Sequence, residues 1–125
     1  WIAQVNTEKN ILSLLLHPRL GAVIQQMLEM PGHAWTVESL ASIAHMSRAS
    51  FAQLFRDVSG TTPLAGLTKL RLQIAAQMFS REMLPVVVIA ESVGYASESS
   101  FHKAFVREFG CTPGEYRERV RQLAP

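Results

Sequence analysis

Cysteine is almost missing from this sequence, and its scarcity limits the kinds of protein that the chain can be. The 125 residues include a single cysteine, Cys111, so no internal disulfide can form. A small scaffold stapled by disulfides is therefore excluded, and the cysteine usage fits a reducing cytoplasm. Because no histidine or second cysteine lies at a motif spacing from it, we interpret Cys111 as a small packed residue.

Long apolar runs are missing as well. The stretch from Ile11 to Leu16 is interrupted by Ser13, whereas a membrane-spanning helix needs roughly 20 apolar residues. No basic segment followed by an apolar one marks a signal peptide in the sequence. We expect no membrane partner and a cytoplasmic location. Because the chain starts at Trp1 rather than Met, we also expect it to be part of a longer protein.

The usual signatures of catalysis are absent. The histidines follow no metal-ligand spacing; they are His17, His33, His45 and His102. The sequence has neither a glycine-rich phosphate-binding loop nor a nucleophile elbow. We therefore expect no enzyme activity, no metal site and no cofactor.

Basic residues are concentrated in the later part of the chain. From residue 47 onward, ten basic residues stand against seven acidic ones, whereas Lys9 and Arg19 are outnumbered by three glutamates before that point. This distribution is typical of a face that binds a polyanion such as nucleic acid. A mixed solvated surface is the alternative explanation.

Apolar residues recur at helical spacing along most of the chain, and no strand-like alternation of any length is present. The pattern predicts about seven helices in an all-α fold, at residues 17–30, 36–44, 47–59, 63–81, 86–93, 97–109 and 112–123. Thr36 is a good N-cap for the second helix. Ser39 stands where a capping box has Glu or Gln, so we expect only half of that box.

One stretch of sequence occurs twice. Residues 50–63 read SFAQLFRDVSGTTP and residues 100–113 read SFHKAFVREFGCTP. The two share Ser, Phe, Phe, Gly, Thr and Pro at the same spacing, and each follows a short helix, a turn and a serine N-cap. This order is typical of a helix-turn-helix. We predict that the shared residues build a scaffold and that the variable ones recognise something.

The turns of the two copies differ at one position that matters for the backbone. Gly94 can adopt the left-handed conformation that a tight turn usually needs. His45 occupies the equivalent place in the first copy, and histidine tolerates a positive φ only with some strain.

The outward faces of the two capped helices are the candidate reading surfaces. With Phe51, Leu54 and Phe55 turned inward in the first helix, and Phe101, Ala104 and Phe105 in the second, short and polar residues face outward. Gln53 can pair with adenine, Lys103 with guanine and Glu98 with cytosine. We assign base reading to Arg48, Ala49, Ala52, Gln53, Glu98, Ser99, His102 and Lys103, and phosphate contacts to Ser47, Arg56, Ser97 and Arg107. A solvated helix face is the alternative for each residue.

The predicted helix between the two copies has a suitable length for one duplex. About 19 residues span roughly 28 Å at 1.5 Å per residue, and successive major-groove faces on one side of B-DNA lie about 34 Å apart. One chain could therefore do what a helix-turn-helix dimer does.

From about Trp35 to Arg121 the chain resembles the DNA-binding domain of the AraC/XylS family of bacterial transcription regulators. The resemblance rests on WTVESLASIAHMSRASFAQLFRDVSGTTP, on LTKLRLQIAAQM and on IAESVGYASESSFHKAFVREFGCTPGEYRER. It implies a seven-helix domain with two homeodomain-like helix-turn-helix units joined by a long linker helix. We expect residues 1–16 to be the tail of an N-terminal domain or a linker. Residues 17–125 are expected to form the domain, as a first unit (17–61), a linker helix (62–82) and a second unit (83–125).

The resemblance also implies partners and reading positions. Such proteins bind promoter DNA, mostly activate transcription through RNA polymerase, and carry an effector or dimerisation domain in an N-terminal region; the location is cytoplasmic, at the nucleoid. The family's base-reading positions fall on Ala49, Ala52, Gln53, Glu98, Ser99, His102 and Lys103. His45 departs from the family, which usually has Gly there, so the strength of sequence reading by the first unit is left open.

Two other functions compete with this reading. A helical protein-interaction module that no longer reads DNA is the main alternative, and salt dependence discriminates, because phosphate contacts weaken steeply as salt rises. Specific RNA binding is a weaker rival, because it usually shows exposed stacking aromatics, whereas the phenylalanines here lie at core spacing.

Overall fold

The structure, a computed structural model, describes residues 11–123. Residues 11–16 are helical, and seven longer helices follow. They are α1 (Gly21–Glu29), α2 (Val37–Ile43), α3 (Arg48–Ser59), α4 (Pro63–Arg81), α5 (Val86–Ser92), α6 (Glu98–Phe109) and α7 (Pro113–Leu123). The described part of the chain contains no strand, so the all-α prediction is confirmed.

The chain divides into two compact units inside α4. Of the described residues, the first unit holds 11–30 and 34–69, and the second unit holds 31–33 and 70–123. Each unit contains one short helix, one turn and one serine-capped helix, namely α2 and α3 in the first and α5 and α6 in the second.

The first unit has a mostly aliphatic core. Phe51 and Phe55 lie 5.9 Å apart between ring centroids, and both are buried together with Leu20, Val23, Ile24, Met27, Leu40, Ala41, Ala44 and Leu67. Leu14 is also buried, at 3 % exposure, so helical residues 11–16 pack onto this unit. The rest of the tail predicted for residues 1–16 lies outside the described residues.

The second unit has an aromatic core centred on Phe79. Its ring lies 5.6 Å from Phe105, 6.2 Å from Phe101 and 6.4 Å from Tyr116. The other buried members are Leu72, Ala75, Ala76, Ile89, Ala90 and Val93. The sequence pattern does not single out Phe79, because the apolar stripe that it predicts for the linker helix runs through Leu64, Leu67, Leu70, Ile74 and Met78. Leu64 is instead 45 % exposed.

The first predicted helix is shorter than the sequence pattern indicates. It starts at Gly21 rather than His17, because residues 17–20 form a turn in which the Arg19 amide donates to Nδ1 of His17. Gly21 is needed there, since a Cβ would lie 2.6 Å from the carbonyl oxygen of Leu15. Leu28, predicted to face inward, is 39 % exposed.

The helix caps form as expected, and one is more complete than expected. Thr36 and Ser39 form a full reciprocal capping box, with N···O distances of 2.9 and 3.0 Å, because the serine hydroxyl is long enough to accept from the Thr36 amide. Ser47 and Ser97 each accept from the amide three residues on. Gly60 and Gly110 end α3 and α6 with φ of 79° and 73°, the left-handed conformation typical of glycine at this position.

Candidate nucleic-acid interface

The two turns that position α3 and α6 have the same hydrogen bonds. In the first unit the Met46 amide donates to Ala41 O at 3.1 Å and the His45 amide donates to Ser42 O at 3.1 Å. In the second, the Tyr95 and Gly94 amides donate to Ala90 O and Glu91 O, both at 3.0 Å. Each pattern is a Schellman motif, which satisfies the last carbonyls of the short helix and requires a left-handed residue.

The left-handed residue is His45 in one turn and Gly94 in the other. His45 has φ 56° and is the only non-glycine residue with positive φ in the described part of the chain. Its side chain is exposed to solvent. Gly94 has φ 98°, and a Cβ there would lie 3.0 Å from Cζ of Arg71. The second turn therefore disfavours a side chain for two reasons, its left-handed backbone and the nearby Arg71, whereas in the first turn the strain lies in the backbone of His45.

Arg71 is a residue that the sequence reasoning missed. Its guanidinium donates to Pro31 O at 2.8 Å and to His33 O at 2.7 Å. Burial lowers the pKa of Arg71 and raises the pKa of Tyr95 beside it. Arg71 thus holds residues 31–33 against the turn of the second unit, and no motif in the sequence marks it for this role.

The reading face predicted on α3 is accessible. Five of its residues are exposed and Ala52 is half-buried. A groove of about 320 Å³ runs along this face, and it is lined by Val37, Arg48, Ala49, Ala52, Gln53, Arg56, Thr62 and Pro63. The two alanines keep the groove open, and the polar side chains stand around them. This arrangement can admit the edge of a base while offering hydrogen bonds from Gln53 and the arginines.

Two side chains of the first face already have partners within the protein. Arg48 lies 3.7 Å from a carboxylate oxygen of Glu38, but both are largely exposed, so this pair contributes little and leaves Arg48 available. Gln53 donates from Nε2 to Oδ1 of Asp57 at 2.8 Å. Asp57 was not among the predicted site residues, and its spacing of four from Gln53 permits such a pair without requiring it.

The predicted residues of the second face, Glu98, Ser99, His102, Lys103 and Arg107, are all exposed. No carboxylate lies within salt-bridge distance of Lys103 or Arg107 among the described residues. The positive charge of Arg107 acts on Tyr95, where together with Arg71 it opposes the rise in the pKa of Tyr95 that burial causes. The two cations are therefore free to meet an external anion.

Ser47 and Ser97, predicted to bind phosphate, serve first as N-caps. The oxygen of Ser47 accepts from the Ser50 amide at 3.2 Å, and that of Ser97 from the Ser100 amide at 3.1 Å. The Ser47 hydroxyl hydrogen remains available to donate to a phosphate. The Ser97 hydroxyl oxygen lies 2.8 Å from the Ser100 hydroxyl oxygen, and the two hydroxyls share one hydrogen bond in which either can be the donor.

Other site types find no support in the described residues. No group of three or more His, Cys, Asp or Glu side chains in residues 11–123 could hold a metal ion. No helix in that range is long and apolar enough to cross a membrane. Cys111 is buried and unpaired by disulfide, as the small packed residue that the sequence indicated.

Comparison with known proteins adds sequence relatives of the whole chain. The profile of the helix-turn-helix domain family matches residues 40–119. The chain is 98 % identical over 125 residues to the RCS-specific HTH-type transcriptional activator RclR of Escherichia coli K-12, and spans 44 % of that protein. It is 42 % identical over 118 residues to the HTH-type transcriptional regulator AlkR of Acinetobacter baylyi, of which it covers 39 %. The chain thus spans less than half the length of these relatives.

Solved structures share its fold. The DNA-binding domain of the transcriptional factor AdpA, in complex with a target DNA, is 30 % identical with a TM-score of 0.80, covering 87 % of this chain and 98 % of that one. An AraC-type regulator from Chromobacterium violaceum is 25 % identical with a TM-score of 0.80, covering 86 % and 96 % of the two chains. This family is one of DNA-binding regulators and not an enzyme class. The duplicated capped helices, the matched profile and these neighbours together show that the chain belongs to the AraC/XylS family of helix-turn-helix transcription regulators.

Proposed function

We propose that this chain binds specific sequences of promoter double-stranded DNA by inserting α3 and α6 into major grooves, and that it regulates transcription. One observation carries the proposal: the two helices start from turns with the same hydrogen bonds and from the same serine caps, but they expose different polar side chains. Two helices that share a backbone arrangement but expose different residues can recognise two different base sequences. The DNA complex of the structural neighbour AdpA supports the same use of the fold.

The roles proposed for single residues follow from their chemistry. In the first unit Gln53 reads a base by paired hydrogen bonds, Ala49 and Ala52 contact thymine methyl groups, and Arg48 and Arg56 meet bases or phosphates. In the second unit Lys103 donates to guanine, Glu98 accepts from cytosine, and Ser99 and His102 make polar contacts. Ser47, Ser97 and Arg107 contact phosphates.

The proposal extends to a longer protein of the size of these relatives, of which the chain covers 44 % and 39 %. The relative in Escherichia coli is named an activator, and we propose activation through contact with RNA polymerase for this chain as well. An effector-binding or dimerising region is proposed for the part of such a protein that lies outside this chain. Within the chain, residues 17–61, 62–82 and 83–125 are the proposed functional segments, acting on the nucleoid in the cytoplasm.

Selection from a random-sequence DNA pool tests the function directly. The 125-residue chain is incubated with duplexes at moderate salt, and bound duplexes are amplified and sequenced. We expect two short boxes about one helical turn apart, because both α3 and α6 present reading faces. A double variant, Gln53→Ala with Lys103→Ala, is the matched control, and it should keep its fold while losing enrichment at the bases that these two residues read.

The salt dependence of the affinity separates DNA reading from a protein-interaction role. Binding that neutralises several phosphates should fall by orders of magnitude between 50 mM and 200 mM salt. The proposal would be contradicted if a folded chain enriches no DNA sequence, or if its affinity for DNA does not change with the salt concentration. The protein-interaction alternative would then rest on the exposed apolar residues of the second unit, which are Met83, Leu84, Val87, Val88 and Leu123.

A further inference from the structure

One side-chain pair on α3 has a property that DNA reading alone does not explain. Gln53 and Asp57 lie four residues apart, so they share one face of the helix. Nε2 of Gln53 donates to Oδ1 of Asp57 at 2.8 Å, and both side chains are exposed. A predicted base-reading amide is thus already held by a neighbouring carboxylate.

The carboxylate can hold the amide in only one orientation. An ionised aspartate only accepts hydrogen bonds, whereas a glutamine amide has a donating NH₂ on one side and an accepting oxygen on the other. Rotating the Gln53 amide by half a turn would place Oε1 against the Asp57 oxygen and break the hydrogen bond. Asp57 therefore keeps Nε2 on its own side, while Oε1 and the second N–H of Nε2 stay free.

We propose that Asp57 is a specificity-determining residue that fixes the order of donor and acceptor on Gln53. The inference rests on the proposed DNA-binding function. Adenine offers N7 as an acceptor beside the N6 amino donor, and one amide orientation matches that pair. Guanine offers two acceptors, N7 and O6, and a freely rotating amide can turn its donor toward either of them. A held amide loses that freedom, so discrimination in favour of adenine increases.

The position of Asp57 argues against a favourable contribution to the stability of the fold or to the affinity for DNA. It lies in the last turn of α3, which ends at Ser59, where the helix dipole disfavours a negative charge. If Gln53 touches a base edge, Asp57 lies within about one screening length of the phosphate backbone, roughly 10 Å at 0.1 M salt, and repels it. Its removal should therefore leave the fold intact and raise the affinity for DNA in general.

The second unit shows the contrasting arrangement at the same spacing. In the repeated stretch, Lys103 aligns with Gln53 and Arg107 with Asp57. The lysine ammonium carries three equivalent donors, so it has no orientation to fix, and Arg107 cannot accept a hydrogen bond. Both side chains attract DNA. Arg107 is therefore the matched control for Asp57: it should change affinity without changing base preference.

The test measures base preference and affinity separately. Gln53→Ala first identifies the base pair whose discrimination depends on Gln53, using the DNA recovered by selection with the 125-residue chain. Four duplexes that differ only at that base pair are then titrated with the unmodified chain and with Asp57→Asn, Asp57→Glu and Arg107→Ala. Melting temperatures of all variants establish that each one is folded.

We expect the unmodified chain to prefer adenine by about tenfold, as good paired contacts do. Asp57→Asn should reduce that preference to within about twofold, because asparagine can donate as well as accept and holds either orientation, while its affinity for the other three duplexes rises. Asp57→Glu keeps an accept-only carboxylate at the same spacing and should retain most of the preference. Arg107→Ala should weaken binding to all four duplexes by the same factor.

Several outcomes would overturn the inference. If Asp57→Asn keeps the full adenine preference, the carboxylate does not orient the amide. A uniform loss of affinity with a lower melting temperature would make Asp57 a structural residue. If Gln53→Ala changes no base preference although the unmodified chain selects DNA, the inference fails while the proposed function stands. If the unmodified chain selects no sequence, both fail.

Discussion

The two helix-turn-helix units keep the same backbone devices and differ in the side chains placed on them. Both turns are Schellman motifs, both recognition helices start at a serine cap, and both end at a left-handed glycine. At matched positions, Gln53 and Asp57 of the first unit stand against Lys103 and Arg107 of the second. Positions that set the backbone conformation accept few residue types, whereas exposed positions on a helix can carry different side chains for different targets.

The cores of the two units also differ in the side chains that surround their shared phenylalanines. The second unit packs Phe79, Phe101 and Phe105 together with tyrosine rings, whereas the first surrounds two phenylalanines with aliphatic side chains. A small helical unit thus needs filled volume around its two shared phenylalanines more than it needs particular neighbours.

The largest effect is expected from removing a shared core ring. Phe51→Ala and Phe101→Ala should each destabilise their unit by about 3–5 kcal/mol, because both side chains are fully buried. The Phe101 change should cost more, since its ring also contacts Phe79, Tyr95 and Phe105, and such pairs add about 0.5–1.5 kcal/mol each. Chemical denaturation with amide hydrogen exchange, analysed unit by unit, measures both. Equal losses would show that the aromatic contacts add nothing to burial.

The next effect concerns DNA reading by the second unit. Lys103→Ala should weaken binding to one base sequence by about 1–3 kcal/mol if the ammonium contacts a base, whereas Arg107→Ala should act on all sequences equally. Titration of duplexes that differ at single positions separates the two. Uniform weakening by Lys103→Ala would make Lys103 a phosphate contact.

The turns should respond in opposite directions to exchange of their left-handed residues. Gly94→Ala should destabilise the second unit by at least about 1–2 kcal/mol, because a side chain is costly in the left-handed region and its Cβ would also crowd Arg71. His45→Gly should stabilise the first unit by less than about 1 kcal/mol, since the relieved strain is partly offset by the greater freedom of glycine in the unfolded chain. Thermal denaturation checks both, and a loss of stability in His45→Gly would show that the histidine side chain makes a favourable contact.

The smallest effects are expected at the caps of α4 and α7. Thr112→Ala should cost about 1 kcal/mol, and Thr62→Ala less. Thr112 exchanges hydrogen bonds with Glu115, whereas Thr62 only accepts from the Ala65 amide at 3.3 Å. Denaturation of the two variants at neutral pH measures the difference. If the two losses are equal, the shorter hydrogen bond from the Glu115 amide to Oγ1 of Thr112, at 3.1 Å, contributes no more than the one at Thr62.

The same cap makes the second unit sensitive to pH. The hydrogen bonds from Thr112 hold the pKa of Glu115 below its ordinary value. Its contribution is therefore complete above the ordinary carboxyl pKa of about 4.3 and is lost as the pH falls through the lowered folded value. Glu115→Gln should flatten the pH dependence of stability in that range. An unchanged acid profile in this variant would assign the dependence to other carboxylates.

Much of the fold could be predicted from local sequence signals. Helices α2 to α7 follow from apolar spacing, and their ends follow from Thr36, Ser47, Ser97, Gly60 and Gly110, because caps depend on residues within one turn. The left-handed conformation of His45 was predictable from the repeat alone. The start of α1 was not, because Pro18 is compatible with the first turn of a helix, whereas residues 17–20 form a turn in which the Arg19 amide donates to His17.

Only part of the candidate site could be predicted from the sequence. Exposure of the reading faces could be predicted, since helical periodicity places them opposite Phe51 and Phe101. The hydrogen bond from Gln53 to Asp57 could not, because spacing permits such a pair without requiring it. The contacts of Arg71 with Pro31 and His33 join residues about forty positions apart, and no local pattern specifies them.

The sequence by itself determined helices α2 to α7, their caps and the two matched outward faces, because these depend on interactions within a few residues. The tertiary structure alone decided that Phe79 is the centre of a core, that Leu14 packs onto the first unit and that a side chain at Gly94 would crowd Arg71. Each of these depends on which distant residues occupy the same volume. Periodicity gives the face of a helix, but close packing decides which residues on that face meet a neighbour.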